Sequence, residues 1–314
     1  MEQQIVGLDV GKAWLDGYLP ASGRRFRVGS DPAGIEDLLR SLDAPADCLM
    51  VMEASGGYER TAHKALAGHG VPAAIVNPKR VRDFARGMGL EAKTDRVDAQ
   101  VIARYGAVMR PAATPLPDPA RLELREILAC RRQLVDEIAT RKQQLEQLTS
   151  PAVRAQVEKT LAFLRQEAKA LLALLRARIA ADATLAADYA LLTSMPGCGP
   201  ILAATLLAEL PELGTLDRRK VAALAGLAPI ARDSGLREHR RVIKGGRGQA
   251  RNALYMAALA SLKTDKSPLK ARYAQLTAKG KPPKLALTAL MRKMLVTLNA
   301  MLKAKTSWQD PRQN

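Results

Sequence analysis

Four carboxylates recur where the chain changes direction. Asp9 ends a short apolar run in Gly7-Leu8-Asp9-Val10-Gly11, and Glu53 closes another in Val51-Met52-Glu53-Ala54-Ser55-Gly56-Gly57. Asp95 and Asp98 open a helical pattern in Ala92-Lys93-Thr94-Asp95-Arg96-Val97-Asp98-Ala99. Their i, i+3 spacing puts them on one helical face. Strand ends flanked by glycine leave a side chain within reach of a bulky substrate. Four carboxylates gathered this way repel one another unless a cation neutralises them. Hard oxygen ligands select Mg²⁺, with Mn²⁺ as the alternative. Two such ions about 3.5–4 Å apart activate a nucleophile and stabilise the leaving oxygen in phosphodiester chemistry. Taken singly, each acid reads as a turn residue or a helix cap. Taken together, each at an element boundary, they read as a metal site.

A second candidate centre lies far along the chain. Ser234, in Asp233-Ser234-Gly235, stands among Arg232, Arg237, Arg240, Arg241, Lys244, Arg247 and Arg251, opposed only by Asp233 and Glu238. A serine hydroxyl is a poor nucleophile at its ordinary pKa and needs a base, a metal or strong local positive charge. Arginines also stabilise charge on a phosphoryl transition state. Gly245, Gly246 and Gly248 let the backbone approach phosphates closely. On the residues alone, a solvated basic loop with a turn serine is the simpler reading. Pro196-Gly197-Cys198-Gly199 has the form of a helix-hairpin-helix turn. There the N–H groups of Gly197 and Gly199 and the helix start after them would hold a phosphate without reading sequence. A plain Gly-Pro turn between helices is the alternative. Lys79, Arg80, Arg82 and Arg86, with Lys93 beside Asp95, could follow a nucleic-acid backbone, and equally form a solvated helical face.

The elements that must carry these residues follow from periodicity. Gln3–Val10, Ala13–Leu19 and Arg24–Val28 read as strands of a meander, Asp31 as the cap of a helix reaching Leu42, and Cys48–Met52 as a buried strand. Tyr58–Gly68 is helical in pattern, Ala73–Val76 a further strand, and Asp95–Met109 a helix with Val97, Val101, Ile102 and Tyr105 on one face. Strands first, then strand–helix alternation, predict a mixed sheet with helices on its faces. Four prolines in residues 110–119 mark a linker. From Leu122 to Leu192, Leu124, Leu128, Leu134, Ile138 and Leu145 lie close to a seven-residue repeat, and Pro151 suits the first turn of a second helix. This is a helical hairpin or coiled coil, either a strut or a dimerisation arm. The organisation expected is an α/β domain over 1–112, the arm over 113–190, a mostly helical domain over 191–305, with a helix from Ile201 to Leu210, and a disordered tail over 306–314.

Composition narrows the partners. The 314 residues carry 49 Lys plus Arg against 31 Asp plus Glu, a formal net charge of +18, which suggests a polyanion, nucleic acid first. The basic residues are spread along the chain and not gathered on one amphipathic helix, which argues against a membrane surface. No run of about 20 apolar residues and no secretory apolar segment is apparent. Three scattered cysteines imply a reducing cytoplasm and no disulfide frame, and three scattered histidines no zinc site. Aromatics make up only 4%, so base stacking by the protein is not indicated. No Gly-x-x-x-x-Gly-Lys-Ser/Thr loop appears, so no ATP is expected.

The order Asp, Glu, Asp-x-x-Asp resembles the ribonuclease-H-like fold of Holliday-junction resolvases. Met52-Glu53-Ala54-Ser55-Gly56-Gly57-Tyr58-Glu59 and Ala92–Ala99 are similar to hallmark segments of the DEDD-type insertion-sequence transposases, the IS one-ten family. Pro196-Gly197-Cys198-Gly199, Leu224-Ala225-Gly226-Leu227-Ala228-Pro229 and Asp233-Ser234-Gly235 resemble that family's C-terminal transposase domain, in order. The resemblance implies that Asp9, Glu53, Asp95 and Asp98 bind Mg²⁺ and that Ser234 attacks DNA to form a covalent phosphoserine. It implies guidance by a structured bridge RNA that pairs with donor and target DNA. It also implies dimers joining into tetramers, with acids and serine from different protomers, acting at the nucleoid of a bacterial cytoplasm. Backbone and shape recognition by the protein fits a system in which base pairing supplies specificity. Two other readings stay open: a structure-selective endonuclease using only the acids and a metal-activated water, and a non-catalytic nucleic-acid scaffold.

Overall fold

The computed structural model describes residues 3–90, 95–230, 242–263 and 267–309, residues 95–97 and 230 as backbone alone, and divides into two compact units, Met1–Pro117 and Asp118–Asn314. The first unit holds a five-stranded mixed sheet in the order β3-β2-β1-β4-β5. β1 (Gln4–Val10), β2 (Trp14–Leu19) and β3 (Arg24–Gly29) form the expected antiparallel meander, while β4 (Cys48–Glu53) and β5 (Ala73–Val76) add in parallel on the other side of β1.

Side chains alternate across a strand, so each strand feeds two cores. Val6, Leu8 and Val10 of β1, with Met50 and Met52 of β4, bury against Ile35 and Leu38 of α1 (Pro32–Arg40) and Ala62 and Leu66 of α2 (Glu59–Gly68). Leu49 and Val51 bury on the other face, against Val81 of α3 (Pro78–Gly87) and Val101, Ile102 and Tyr105 of α4 (Asp95–Met109). A strand covered on both faces reads as a continuous apolar run, which is why Cys48–Met52 was legible. Asp31 caps α1 as expected, accepting from the Gly34 N–H at 2.8 Å.

The proline-rich segment differs from a free linker. Thr114 donates its N–H to the Ala73 carbonyl at 2.8 Å, its hydroxyl accepts from the Ile75 N–H at 2.9 Å, and its carbonyl meets Nε2 of the buried His63 at 2.8 Å. The edge of β5 has backbone groups to satisfy, and Thr114 satisfies those of Ala73 and Ile75. The compact unit accordingly extends to Pro117.

The second unit is helical. α5 (Pro119–Gln147) and α6 (Pro151–Ala181) pack on each other as a long hairpin, with Pro151 in the first turn of α6. α7 (Ala183–Ser194), α8 (Pro200–Glu209), α9 (Arg218–Leu224), a two-stranded ladder of β6 (Pro229–Ile230) and β7 (Val242–Ile243), α10 (Gly248–Ser261), α11 (Pro268–Ala278) and α12 (Pro283–Ala304) follow. Leu124 and Leu128 of α5 and Leu175 and Ile179 of α6 belong to the same core as α8 and α12, so the base of the hairpin is not a separate body from the helices after it. Arg125 donates to the Ala208 carbonyl at 2.8 Å, and Arg121 to that of Leu207, satisfying carbonyls that the last turn of α8 leaves open. α12 is long and apolar enough by length and composition to cross a membrane, but Arg292 and Lys293 interrupt its apolar run and more than half of that stretch is buried. Its Leu290, Met294, Leu295 and Leu298 are the centre of this core. Of the expected disordered tail, Trp308 is held by its N–H on the Ser194 hydroxyl at 2.9 Å, and residues 310–314 lie outside the described residues.

Candidate active site

The sheet brings two of the predicted acids side by side. Leu8 of β1 registers with Met52 of β4 in a parallel pair, so Asp9 and Glu53, one residue on, stand next to each other at the C-terminal ends of adjacent strands. Both are partly buried and share the face of Gly7 and Val51, the face that α4 covers. A Cβ on Gly7 would lie 2.2 Å from the Ala99 carbonyl oxygen and 2.5 Å from the Ala103 nitrogen. A Cβ on Gly106 would meet Ile5 and Val51 at 2.8 Å. The helix therefore runs antiparallel to β1, with Gly106 over Ile5 and Ala99 over Gly7. Two strand residues advance about 6.6 Å, and four helical residues about 6 Å. Gly7 sits between Ala99 and Ala103, so the N-terminal turns of α4 lie toward the C-terminal end of β1. Asp98, partly buried, adjoins the Gly7 contact itself.

The geometry adds a charged row that sequence reasoning missed. In β1 and β2 Asp9 pairs directly with Asp16, and in β2 and β3 Asp16 pairs with Arg27. Directly opposed residues share a face, so Arg27, Asp16, Asp9 and Glu53 cross four strands in one line. Arg27 donates Nε and Nη2 to the two Asp16 oxygens, each at 2.8 Å. Strand register is needed to see this, and the sequence does not print register.

The donor set is all oxygen, which suits Mg²⁺ or Mn²⁺. Among the described residues, no three His, Cys, Asp or Glu side chains form a group that could hold a metal ion. The Asp95 side chain lies outside that description. Asp9, Glu53 and Asp98 are all described and form no such group, while the sheet register sets Asp9 beside Glu53.

Glu59 stands in the same motif as Glu53 but is bound up within its own loop. It is buried, and one carboxylate oxygen accepts from the Ser55 N–H at 2.9 Å, the Ser55 hydroxyl at 3.0 Å and the Gly57 N–H at 2.9 Å. Burial acts to raise its pKa, but the hydrogen bonds from Gly57, its own N–H and Ser55 outweigh that and hold the carboxyl below its ordinary value. It fastens the loop that leaves Glu53.

In the second unit the description stops at both ends of the serine segment. Ser234, Arg232, Arg237, Arg240 and Arg241 lie outside the described residues, as does Lys93 in the first unit. What is described is the stem that carries the segment. β6 and β7 pair Pro229 with Ile243 and Ile230 with Val242. Gly226 and Gly246 press backbone on backbone: a Cβ on Gly246 would lie 2.2 Å from the Gly226 nitrogen. Arg247 binds Glu212 through two 2.6 Å contacts and donates to the Glu209 carbonyl, and Arg251 donates to the Gly245 carbonyl. These two arginines, expected at nucleic acid, hold the stem. Burial would raise the Glu212 pKa, but the hydrogen bond and charge of Arg247 keep it below the carboxylate norm. Lys244 is exposed.

The remaining candidates are also placed. Gly197 and Gly199 lie in the exposed turn between α7 and α8, where Gly197 takes a φ of 91° with its Cα against the Ser261 hydroxyl. The Cys198 thiol between them is pushed up to about 12 by burial, which removes it as a nucleophile. Lys79, Arg80, Arg82 and Arg86 are all exposed on α3, with Lys79 and Arg86 both paired to Asp83 at 2.8 Å.

Two family models match the chain: one described as Transposase, the DEDD type, over residues 6–150, and one described as the transposase IS116/IS110/IS902 family over residues 189–274. A pilin gene-inverting protein of Moraxella bovis is 27% identical over 318 residues, covering 96% of this chain and 97% of its own. Its counterpart in Moraxella lacunata is 29% identical over 263 residues, covering 81% of this chain and 80% of its own. An uncharacterized 42 kDa protein of insertion element IS900 from Mycobacterium paratuberculosis is 37% identical over 122 residues, covering 36% and 29%. One family model spans the acids and the other spans Ser234 with its stem, in the order the motifs predict, and the chain belongs to the IS116/IS110/IS902 family of transposases.

Proposed function

We propose that this transposase cuts and rejoins DNA strands in two chemical parts, one on the acids of the sheet and one on Ser234. The observation that carries the reading is the meeting of Asp9 and Glu53 at adjacent strand ends, beneath the helix that begins with Asp95 and Asp98. Sheet order and strand directions support a ribonuclease-H-like domain. Asp9, Glu53, Asp95 and Asp98 would hold Mg²⁺, which supplies charge neutralisation at the reacting phosphodiester. The Ser234 hydroxyl gives up its proton as its oxygen bonds to phosphorus, the bond from phosphorus to the departing deoxyribose oxygen breaks, and that oxygen takes up a proton. One phosphodiester replaces another, so the linkage energy is kept and no ATP is needed. The Moraxella relatives are named for inverting a pilin gene, an outcome that requires strands to be cut and rejoined. Guidance by a bridge RNA, assembly of dimers into tetramers and a helical arm that joins protomers belong to the same reading.

Ser234→Ala should abolish strand exchange and remove the covalent protein–DNA band on a denaturing gel. Asp9→Ala and Asp98→Ala should each block Mg²⁺-dependent cleavage. Full-yield exchange by Ser234→Ala would end the serine chemistry and leave an endonuclease. Unchanged cleavage by both acid variants would leave a scaffold.

A further inference from the structure

Past the serine segment the chain is one-sided in charge. From Val242 to Gln309 the sequence holds 14 Lys plus Arg against a single acid, Asp265, so most cations there have no carboxylate nearby in the chain. Some are spent on acids from elsewhere: Arg247 on Glu212 and Lys305 on Asp188, both at 2.6 Å. Lys279, Lys281 and Lys284 are not. They stand in the six-residue turn that joins α11 to α12, and every residue from Lys279 to Lys284 is exposed. Their ammonium groups make no ion pair or hydrogen bond among the described residues. Asp265 precedes α11 and the turn follows it, with the 11 residues of the helix between them, about 16 Å of rise. Arg272, also exposed, lies two helical turns before Lys279 on the same face of α11 and bonds only to the neutral Gln275, at 3.1 Å.

The backbone of this turn is held. Gly280 takes a φ of 78°, its N–H donates to the Thr277 carbonyl at 2.9 Å, and the Lys281 N–H donates to that of Leu276 at 3.1 Å. Pro282 and Pro283 fix their own φ, and Pro283 opens α12. Leu276 on one side packs against the core that Leu287 and Leu290 on the other side enter. Only the lysine side chains remain to be ordered by a partner. An ammonium is a point charge without a fork, and contacts to phosphate carry no sequence information. Reading single-stranded RNA relies on stacking against aromatic rings. The turn has none, and Tyr273 of α11 packs against the core. The chemistry therefore fits the backbone of a duplex, and DNA is the substrate of the transposase family to which the chain belongs.

We propose that the Lys279–Lys284 turn is a sequence-independent seat for the phosphate backbone of duplex DNA, contacted through Lys279, Lys281 and Lys284. The seat needs neither the acids of the sheet nor Ser234, so it stands or falls apart from the cleavage chemistry.

The test measures binding of the full-length protein to two fluorescent DNA duplexes of unrelated sequence over a series of salt concentrations, without divalent metal, so that cleavage plays no part. Lys279→Gln, Lys281→Gln and Lys284→Gln should each lower the slope of log affinity against log salt by about 0.9, one phosphate contact's worth. Each should weaken binding about fivefold at physiological salt, and the three combined about a hundredfold, equally on both duplexes. Replacing all three by arginine keeps the charge and should restore the slope, which separates lost charge from a damaged fold. Lys64→Gln removes one exposed charge from α2 in the first unit and should leave the slope as in the parent. The seat is overturned if the combined variant keeps the parental slope, if Lys64→Gln lowers it as much as one turn lysine does, or if the loss is confined to one of the two sequences. It is also overturned if the combined variant binds DNA as the parent does and loses affinity only for an RNA duplex of the same length.

Discussion

Carboxylates do three different jobs within one small region, and their surroundings decide which. Asp9 and Glu53 lie side by side near the ends of their strands, on the face that α4 covers, and are the acids proposed to meet substrate and cation. Asp16 is spent on Arg27. Glu59 is buried under hydrogen bonds and serves the loop. The folded pKa of Glu59 lies below its unfolded value near 4.5, so its contribution to stability is fully present above that pH and is lost as the pH falls through the lower folded value. Glu59→Gln should cost about 1–3 kcal/mol at neutral pH, since a buried acceptor site is disturbed. The gap in melting temperature between parent and variant should close on acidification. A gap that stays constant through the carboxylate range would show that charge on Glu59 does not hold the loop. Asp9, Glu53 and Asp98 could be picked from sequence because glycines and element boundaries surround them. Glu59 could not be told from Glu53 that way, because its partners are backbone N–H groups brought round by the turn.

At the level of elements, the contact of Gly7 with Ala99 and Ala103 sets where α4 lies on the sheet. Gly7→Val should push the helix off its seat at a cost of about 1–3 kcal/mol or more. It should also depress Mg²⁺-dependent cleavage although all four acids remain. Cleavage at the parental rate, measured with the fold intact by circular dichroism, would show that the seat does not position them. Strands and helices with clear periodicity, β1 to β5 and α4 among them, could be read within a residue or two. The role of Thr114 could not, because extended backbone beside a sheet edge has no pattern of its own. The β6–β7 ladder was missed for a similar reason: two-residue strands are too short to show alternation. The seven-residue repeat of α5 is accounted for in part within the chain. Leu124 and Leu128 enter the core and Leu134, Ile138 and Leu145 are half-buried on a helix packed against α6.

For the molecule as a whole, a charge of +18 makes phosphate contact the dominant source of affinity. Binding to any DNA should weaken by orders of magnitude between dilute and physiological salt, and a flat response in a filter or anisotropy assay would remove nucleic acid as the partner. α12 shows why composition alone misleads about membranes: a helix that forms the centre of a core can be as apolar as one that spans a bilayer. Both candidate centres also share a way of being built. Near the acids and at the foot of the serine segment, a glycine has another backbone pressed against the place where a side chain would begin, at Gly7 and at the Gly226–Gly246 pair. Gly23, Gly70 and Gly280 have open space there instead. A saturation library scored for transposition should therefore contain two narrow deserts in which even alanine is rejected, while at the open turns, whose positive φ strains other side chains, asparagine is the mildest replacement. The enzyme's tolerance to drift would then be bounded less by its reactive groups than by three missing methyl groups.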